Sequence, residues 1–571
     1  MRRARATTNP VIFTALAFFA VLLVAVKPLG SYIDDVFAGR RTFATPLLGR
    51  LESASYRLCR IDPDSEMTWQ RYTFALIAVS ITSIAAVYVV LRVQAYLPLN
   101  PQHFPNLAPD LAWNTAISFA TTTDWQFYSG ENTMSYLSQM MVLGWQSFIA
   151  PGVGLAVAIV LARSLTLQKS GTIGNFWVDM TRGIVYVLLP ISLLFALAFV
   201  WQGEPQNFAA YRTARTLDGP AQTITGGPMA SQESIKLLGG NGGGFVGANS
   251  SSPNENPTPL SNFLQLLAMF LIPAALTYTF GRIVKDTRQG WMLFWAMTTL
   301  FVAAVVAASV FEMQGNPLIH QIGVGGGNME GKEVRFGVAD AGLSLAVATD
   351  STVGAGNFTY DSLTPAAGLV ALVDMQLGEV AFGGVGSGLY GMLTFVVLTV
   401  FVAGLLVGRT PEYLGKKLER REITFAMLAI LAFPISILVP AAIASVVPAG
   451  LATLGNAGPH GFSEIVYAFS SAAASNGSAM GGLGPNSFYN VALGLTMAAG
   501  RYAVIVPTLA LAGALAAKPR NDVRGTLRTD TPLFAILLLG NVIVVGALTF
   551  LPADALGPVY EAVAQHAGRT F

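Results

Sequence analysis

The sequence predicts an all-α polytopic membrane protein with about ten transmembrane helices, and three observations lead there. The 571-residue chain is 53% hydrophobic and only 11% charged, too little polar surface for a soluble protein of this size. Apolar runs long enough to cross a hydrocarbon core recur along its whole length. Its basic residues gather in short segments between those runs. A net charge of +2, so distributed, argues against nucleic acid as a partner. The single cysteine, Cys59, excludes an intrachain disulfide and any multi-cysteine metal site. Four histidines without an HExxH pattern argue against a zinc enzyme.

The predicted spans are 11–29, 72–93, 138–162, 183–202, 262–281, 291–311, 387–407, 423–447, 490–516 and 532–551. The first follows a basic MRRAR stretch and resembles a secretory signal. No A-x-A cleavage site follows the apolar core before Lys27 and Pro28, so it reads as a retained span. The loops 281–290, 408–422 and 516–530 are short and rich in Lys and Arg, which places them in the cytoplasm and both termini outside. The basic amino terminus votes the other way, against three internal signals.

On the outer side, the segments before the third, fifth, seventh and ninth spans share one form. They read DLAWNTAISFATTTDWQ (110–126), SQESIKLLGGNGGGF (231–245), GLSLAVATDSTVGAGN (342–357) and GFSEIVYAFSSAAASNGSA (461–479). Each is a helix too short to span, then a cluster of Gly, Ser, Thr or Asn, then a new span, recurring about every 115 residues. The chain therefore divides into a leader of span and loop (1–70), four repeats (71–181, 182–290, 291–422 and 423–516), and a last loop, span and tail (517–571). Irregular backbone at membrane depth requires surrounding protein or a water-filled cavity, because an unsatisfied amide costs several kcal/mol. Four such turns meeting on one axis satisfy that requirement. Their carbonyl oxygens can replace the hydration shell of a monovalent cation, with glycine supplying the backbone freedom and the helix carboxyl ends adding negative potential.

Several motifs carry a family resemblance: TTTDWQFYSGE (121–131), NGGGFVGANSSSPNENPTP (241–259), QGNP (314–317), GEVAFGGVGSGLYGM (378–392), GRTPEYLGKK (408–417) and GPHGFSE (458–464). With them the chain resembles the A subunit of the bacterial potassium-transporting P-type ATPase, the Kdp complex, over about residues 10–560. That family belongs to a superfamily of K+ transporters with four pseudo-repeated helix–pore-loop–helix units. The resemblance implies a K+-binding filter of Thr121, Thr122 and Thr123; Gly240, Asn241 and Gly242; Thr352, Val353 and Gly354; and Ser475, Asn476 and Gly477. It also implies a role in K+ affinity for Gln126 at the filter mouth. Where the family often reads TNTNWQ, this chain has Thr122 and Asp124. Asp124 is expected either to concentrate cations at the outer mouth or to be a solvated or Arg-paired acid.

Arg501 lies mid-span in 491–517, where an arginine costs at least about 2.5–3.5 kcal/mol and so faces protein or water. It matches a family arginine below the filter and is expected to stop ions from dropping straight to the cytoplasm, or else to pack on backbone carbonyls. The stretch 369–392 carries Asp374, Gln376, Glu379 and the GGVGSG glycines Gly383, Gly384 and Gly386, too polar for an unbroken helix. The resemblance implies an intramembrane gate there that diverts K+ towards a partner, while glycine packing against a neighbouring helix is the simpler account.

GSGLYG (386–391) and GGGFVG (242–247) fit G-x-G-x-x-G, but no strand is predicted before either. GGNMEGKE (326–333) fails as a P-loop at Glu333, and the DKTG phosphorylation motif of P-type pumps is missing from the sequence. The resemblance accordingly implies a non-catalytic subunit with K+ as transported ion and no organic cofactor. ATP would bind a catalytic P-type ATPase subunit, with a C subunit, a small F subunit and membrane lipid as further partners, in the bacterial inner membrane. A stand-alone K+ channel or ion-coupled symporter is the alternative within the same class. A lipid-linked membrane transferase would need grouped acids, whereas Glu131, Glu255 and Glu379 fall in separate loops. The loops 203–230 and 312–340 show no chemical role.

Overall fold

A computed structural model describes residues 4–378, 380–520 and 527–569. Among them are ten helices long and apolar enough to cross a membrane: Phe13–Phe37, Trp69–Tyr96, Ser138–Ser164, Phe176–Gln202, Pro259–Ile283, Thr287–Gln321, Ser387–Val407, Arg420–Ala444, Ser487–Ala516 and Pro532–His566. Each overlaps one predicted span. The chain is thus a multi-pass membrane protein.

The ends differ from expectation where polar residues continue a helix. The first span runs on to Phe37 because its last turn is tied by charge: Asp34 pairs with Arg282 at 2.8 Å and also with Arg40. The last span continues past 551 through a π-helical turn, Ala555–Val559, in which Gly557 leaves helical geometry. That bend lays the final helix, Tyr560–His566, against the start of the fourth short helix. There His460 bridges Glu561 at 2.8 Å and Asp361 at 3.0 Å. Burial lowers the His460 pKa, but the two carboxylates outweigh burial and push it up to about 10.

Four short helices stand between the spans: Pro109–Ala120, Met229–Gly239, Gly337–Asp350 and Gly458–Ala473. At about 1.5 Å per residue the longest reaches about 24 Å, short of a hydrocarbon core of about 30 Å. Nearly every residue in their second halves is buried, so they sit inside the bundle. Asp110, opening the first of them, accepts hydrogen bonds from Ser487 (2.9 Å) and Asn490 (3.0 Å) at the start of the ninth span. That span ends at Ala516, whose carbonyl accepts from the Ser170 amide at 3.0 Å, so the short helix enters from the face opposite Ser170.

The basic loops share the Ser170 face. Lys518 Nζ meets Glu422 at 2.6 Å, Lys416 Nζ reaches the Lys518 carbonyl at 2.8 Å, and Gln289 meets Thr529 at 2.9 Å. The stretch 369–392 is interrupted as predicted: Pro365–Gln376 and Ser387–Val407 are separate helices. Glu379 lies outside the described residues. Among those described, strands form two hairpins only, at 212–215/221–224 and 412–413/416–417, so neither glycine-rich decoy follows a strand.

Candidate functional site

Each short helix is followed by a turn containing two residues of left-handed backbone. They are Thr122 and Asp124, Gly240 and Gly243, Thr352 and Gly354, and Ser475 and Gly477, with φ between 49° and 86°. Alternating hand rotates successive peptide planes so that carbonyl oxygens face one side. The spacing is two residues in the first, third and fourth turns and three in the second. In the second turn the first left-handed residue comes one position earlier; in all four turns the second one stands four positions past the helix end.

The four turns meet at Gly242. A Cβ built there would lie under 3.0 Å from the carbonyl oxygens of Thr123, Val353 and Asn476, one from each other turn. Gly242 has no positive φ, so the position demands glycine for space and not for handedness. At Gly477 a Cβ would strike the Thr123 carbonyl, and at Gly354 the Asn476 carbonyl.

Distinct contacts hold each turn. In the first, the Thr123 and Asp124 amides both donate to the Ser118 carbonyl at 3.1 Å, and the Thr121 and Thr123 hydroxyls are 2.9 Å apart. In the second, Asn241 Nδ2 donates to the Ser147 carbonyl at 3.2 Å. In the third, the Gly354 amide bonds the Ala348 carbonyl at 3.1 Å, and the Tyr360 hydroxyl donates to the Gly354 carbonyl at 3.1 Å. In the fourth, Asn476 Nδ2 also takes the Ala348 carbonyl, at 2.8 Å, tying it to the third helix. All twelve residues expected from the resemblance are thereby brought to one place.

At the mouth, Gln126 is held on both sides of its amide, and the expectation for Asp124 as a solvated or Arg-paired acid needs correction. The Gln126 Nε2 donates to the Gly244 carbonyl at 2.9 Å and its Oε1 accepts the Gly244 amide at 3.0 Å, clamping the second turn from the first. Asp124 is neither solvated nor paired with an arginine among the described residues. It is 1% exposed, accepts from Ser147 Oγ at 3.4 Å, and has one oxygen without a partner.

Thr122 holds φ +65°, a conformation that a β-branched residue adopts at a cost of about 1–3 kcal/mol and that asparagine tolerates. Thr122→Asn is therefore expected to raise the thermal midpoint of the purified protein by a few degrees. A lower midpoint in a melting experiment would show that the hydrogen bond from the Thr122 hydroxyl to the Thr121 carbonyl (2.5 Å) outweighs the strain.

Beside these turns lie the loop residues 380–386. A Cβ at Gly384 would collide with the Thr352 hydroxyl, and one at Gly240 would come 3.1 Å from the Val385 amide. Gly240 and Thr352 directly follow or nearly follow the ends of their helices, so the loop packs against the deep end of the turns. Gly386, at φ +102°, rests on the backbone of Gly154, and the Gly383 carbonyl accepts the Gly388 amide at 3.1 Å. Phe382 anchors the loop between the rings of Phe270 and Phe294, each 5.4 Å away. Gly386 thus meets the third span backbone to backbone, Gly383 meets Gly388 of the following helix, and Gly384 leaves room for the Thr352 hydroxyl.

Arg501 is 4% exposed, and its Nη2 donates to the Ala150 carbonyl at 3.1 Å. With Ser475, Ser387 and Gly378 it lines a cavity of about 70 Å³ that extends to Thr549 and Phe550 of the tenth span. No carboxylate pairs with it among the described residues.

Sequence reasoning treated the acids as scattered, and the fold groups two of them. Glu255 accepts the Val246 amide and Glu131 the adjacent Gly247 amide, both at 2.8 Å. Glu233 and Lys236, buried on the second short helix, form an ion pair of 2.6 Å behind the same turn. Their i,i+3 spacing was a signal available in the sequence. Glu312, near the end of the sixth span, and Lys332, in the loop that follows it, form a second buried pair at 2.8 Å.

Ten spans enclosing four short helices, with backbone carbonyls delivered to one point, define a pore-loop membrane transport protein. The family described as Potassium-transporting ATPase A subunit matches residues 16–563, and the chain belongs to that family. It is 53% identical over 577 residues to the potassium-transporting ATPase potassium-binding subunit of Dechloromonas aromatica (strain RCB), covering 95% of this chain and 97% of that one. The subunit of the same description from Solibacter usitatus (strain Ellin6076) is 51% identical, covering 99% and 100%. Among solved structures, the potassium transporter TrkH from Vibrio parahaemolyticus aligns with a TM-score of 0.49 at 14% identity, over 87% of this chain and 95% of that one.

Proposed function

We propose that this chain selects K+ at an outward-facing filter, in the role of potassium-binding and translocating subunit of an ATP-driven import pump. The observation that carries this reading is the enclosure of Gly242 by the carbonyls of Thr123, Val353 and Asn476. Neutral oxygens from four turns suit a large, weakly hydrated monovalent ion, since they replace its water without trapping it. Thr121, Thr122, Thr123, Gly240, Asn241, Gly242, Thr352, Val353, Gly354, Ser475, Asn476 and Gly477 form the filter, with Gln126 and Asp124 bracing it.

From there K+ is turned aside by the loop of Gly383, Gly384 and Gly386 and by Arg501. The cavity leading to Thr549 and Phe550 supports a sideways path, towards a P-type ATPase subunit that binds and hydrolyses ATP. A C subunit and a small F subunit complete the complex in the bacterial inner membrane, with the pore loops outside and lipid around the repeats 71–181, 182–290, 291–422 and 423–516. The test is a K+ titration of ATP hydrolysis by the whole complex. Saturable stimulation by K+ with little response to Na+ is expected; equal stimulation by Na+ defeats the reading. The isolated chain in liposomes is expected to carry no steady K+ current, and a sustained current would favour a stand-alone channel.

A further inference from the structure

We propose that Lys236 is a positioning residue that sets the K+ affinity of the filter by drawing the Gly243 carbonyl out of the ion's ring. This rests on the filter reading above. The Lys236 ammonium, 1% exposed and near the end of the second short helix, donates to the Gly243 carbonyl at 2.7 Å. The next carbonyl, of Gly244, is held by Gln126 at 2.9 Å. Two consecutive carbonyls are thus taken by side chains, while Gly242, one residue earlier, sits among the carbonyls of the other three turns.

A buried ammonium beside a cation path is costly twice over, through lost hydration and through repulsion of the ion. The surroundings offset both. Glu233 pairs with it at 2.6 Å, and Glu255 and Asp124 also act on it electrostatically. Glu233, Glu255 and Asp124 each keep one buried oxygen without a partner. The ion pair with Glu233 offsets the Lys236 charge while leaving its hydrogen bond to Gly243 intact. A lysine present only to pair with Glu233 would not need to reach the Gly243 oxygen.

The test uses the whole complex, with wild-type K+ stimulation as the control that separates this inference from the proposed function. Lys236→Met keeps the stem and removes the donor. The double variant Lys236→Met/Glu233→Gln removes both charges and so leaves no unpaired Glu233. Both are expected to raise the half-saturating K+ concentration about ten-fold or more, the scale of a lost charged hydrogen bond. The maximal rate at saturating K+ is expected to stay within about two-fold, and the ranking of K+, Rb+ and Na+ to narrow. Lys236→Arg is expected to fall between wild type and Lys236→Met, and can be read alone if neither neutral variant assembles. Wild-type half-saturation in the double variant, or in Lys236→Arg read alone, overturns the inference. So does a lower maximal rate with unchanged half-saturation and ion ranking, the mark of a purely structural pair.

Discussion

Gly242→Asp is expected to weaken K+ stimulation of the complex by about 100-fold or more in half-saturating concentration. A Cβ at this position already lies under 3.0 Å from three carbonyl oxygens, so any side chain forces the ring apart. Forcing even one extra methyl group into a packed site costs about 1–3 kcal/mol, and about 2.8 kcal/mol is a 100-fold change in affinity. The aspartate adds a fixed charge that ranks cations by charge density and not by fit, so Na+ is expected to gain on K+. Gly242→Ala isolates the steric part and is expected to fall between the two. Measuring ATP hydrolysis against both ions decides the matter. A Gly242→Asp complex with wild-type K+ dependence would remove Gly242 from the filter.

Arg501→Met carries the second large effect. Its guanidinium lines the cavity below Ser475, inside the filter, and is hydrogen bonded to the Ala150 carbonyl on the third span. At an effective dielectric of about 20, a unit charge about 6 Å away costs a cation roughly 3 kcal/mol. Removing that barrier is expected to speed passive K+ entry into the cavity by about 100-fold. In proteoliposomes without ATP, the variant complex should leak K+ where the wild type does not, and the K+ dependence of its hydrolysis should change. Tight vesicles together with unchanged hydrolysis at every K+ concentration would reduce Arg501 to a packing residue.

The spans and short helices were legible because each is written in hydropathy and length, which are local properties. The filter turns were legible through their glycines and hydroxyl residues, and the break in 369–392 through its polarity. What lies behind the filter was not. Asp124 stood next to a predicted outer mouth, and nothing in TTTDWQ reveals that the turn buries it beside Ser147. Glu131 and Glu255 are 124 positions apart in the chain, yet they bind adjacent amides because the second turn returns between them. The last span was expected to stop at 551 because its apolar run ends there, whereas the helix bends at Gly557 and continues to His566.

The unlike supports of the four turns have a further consequence. In a pore made of four identical chains, every substitution strikes all four quarters at once, and most outcomes are all or nothing. Here Ser118, Gln126, Tyr360 and Asn476 each brace a single quarter or one junction between quarters. A lineage carrying this chain can therefore retune its ion affinity in single-quarter steps, and each step remains open to selection by itself.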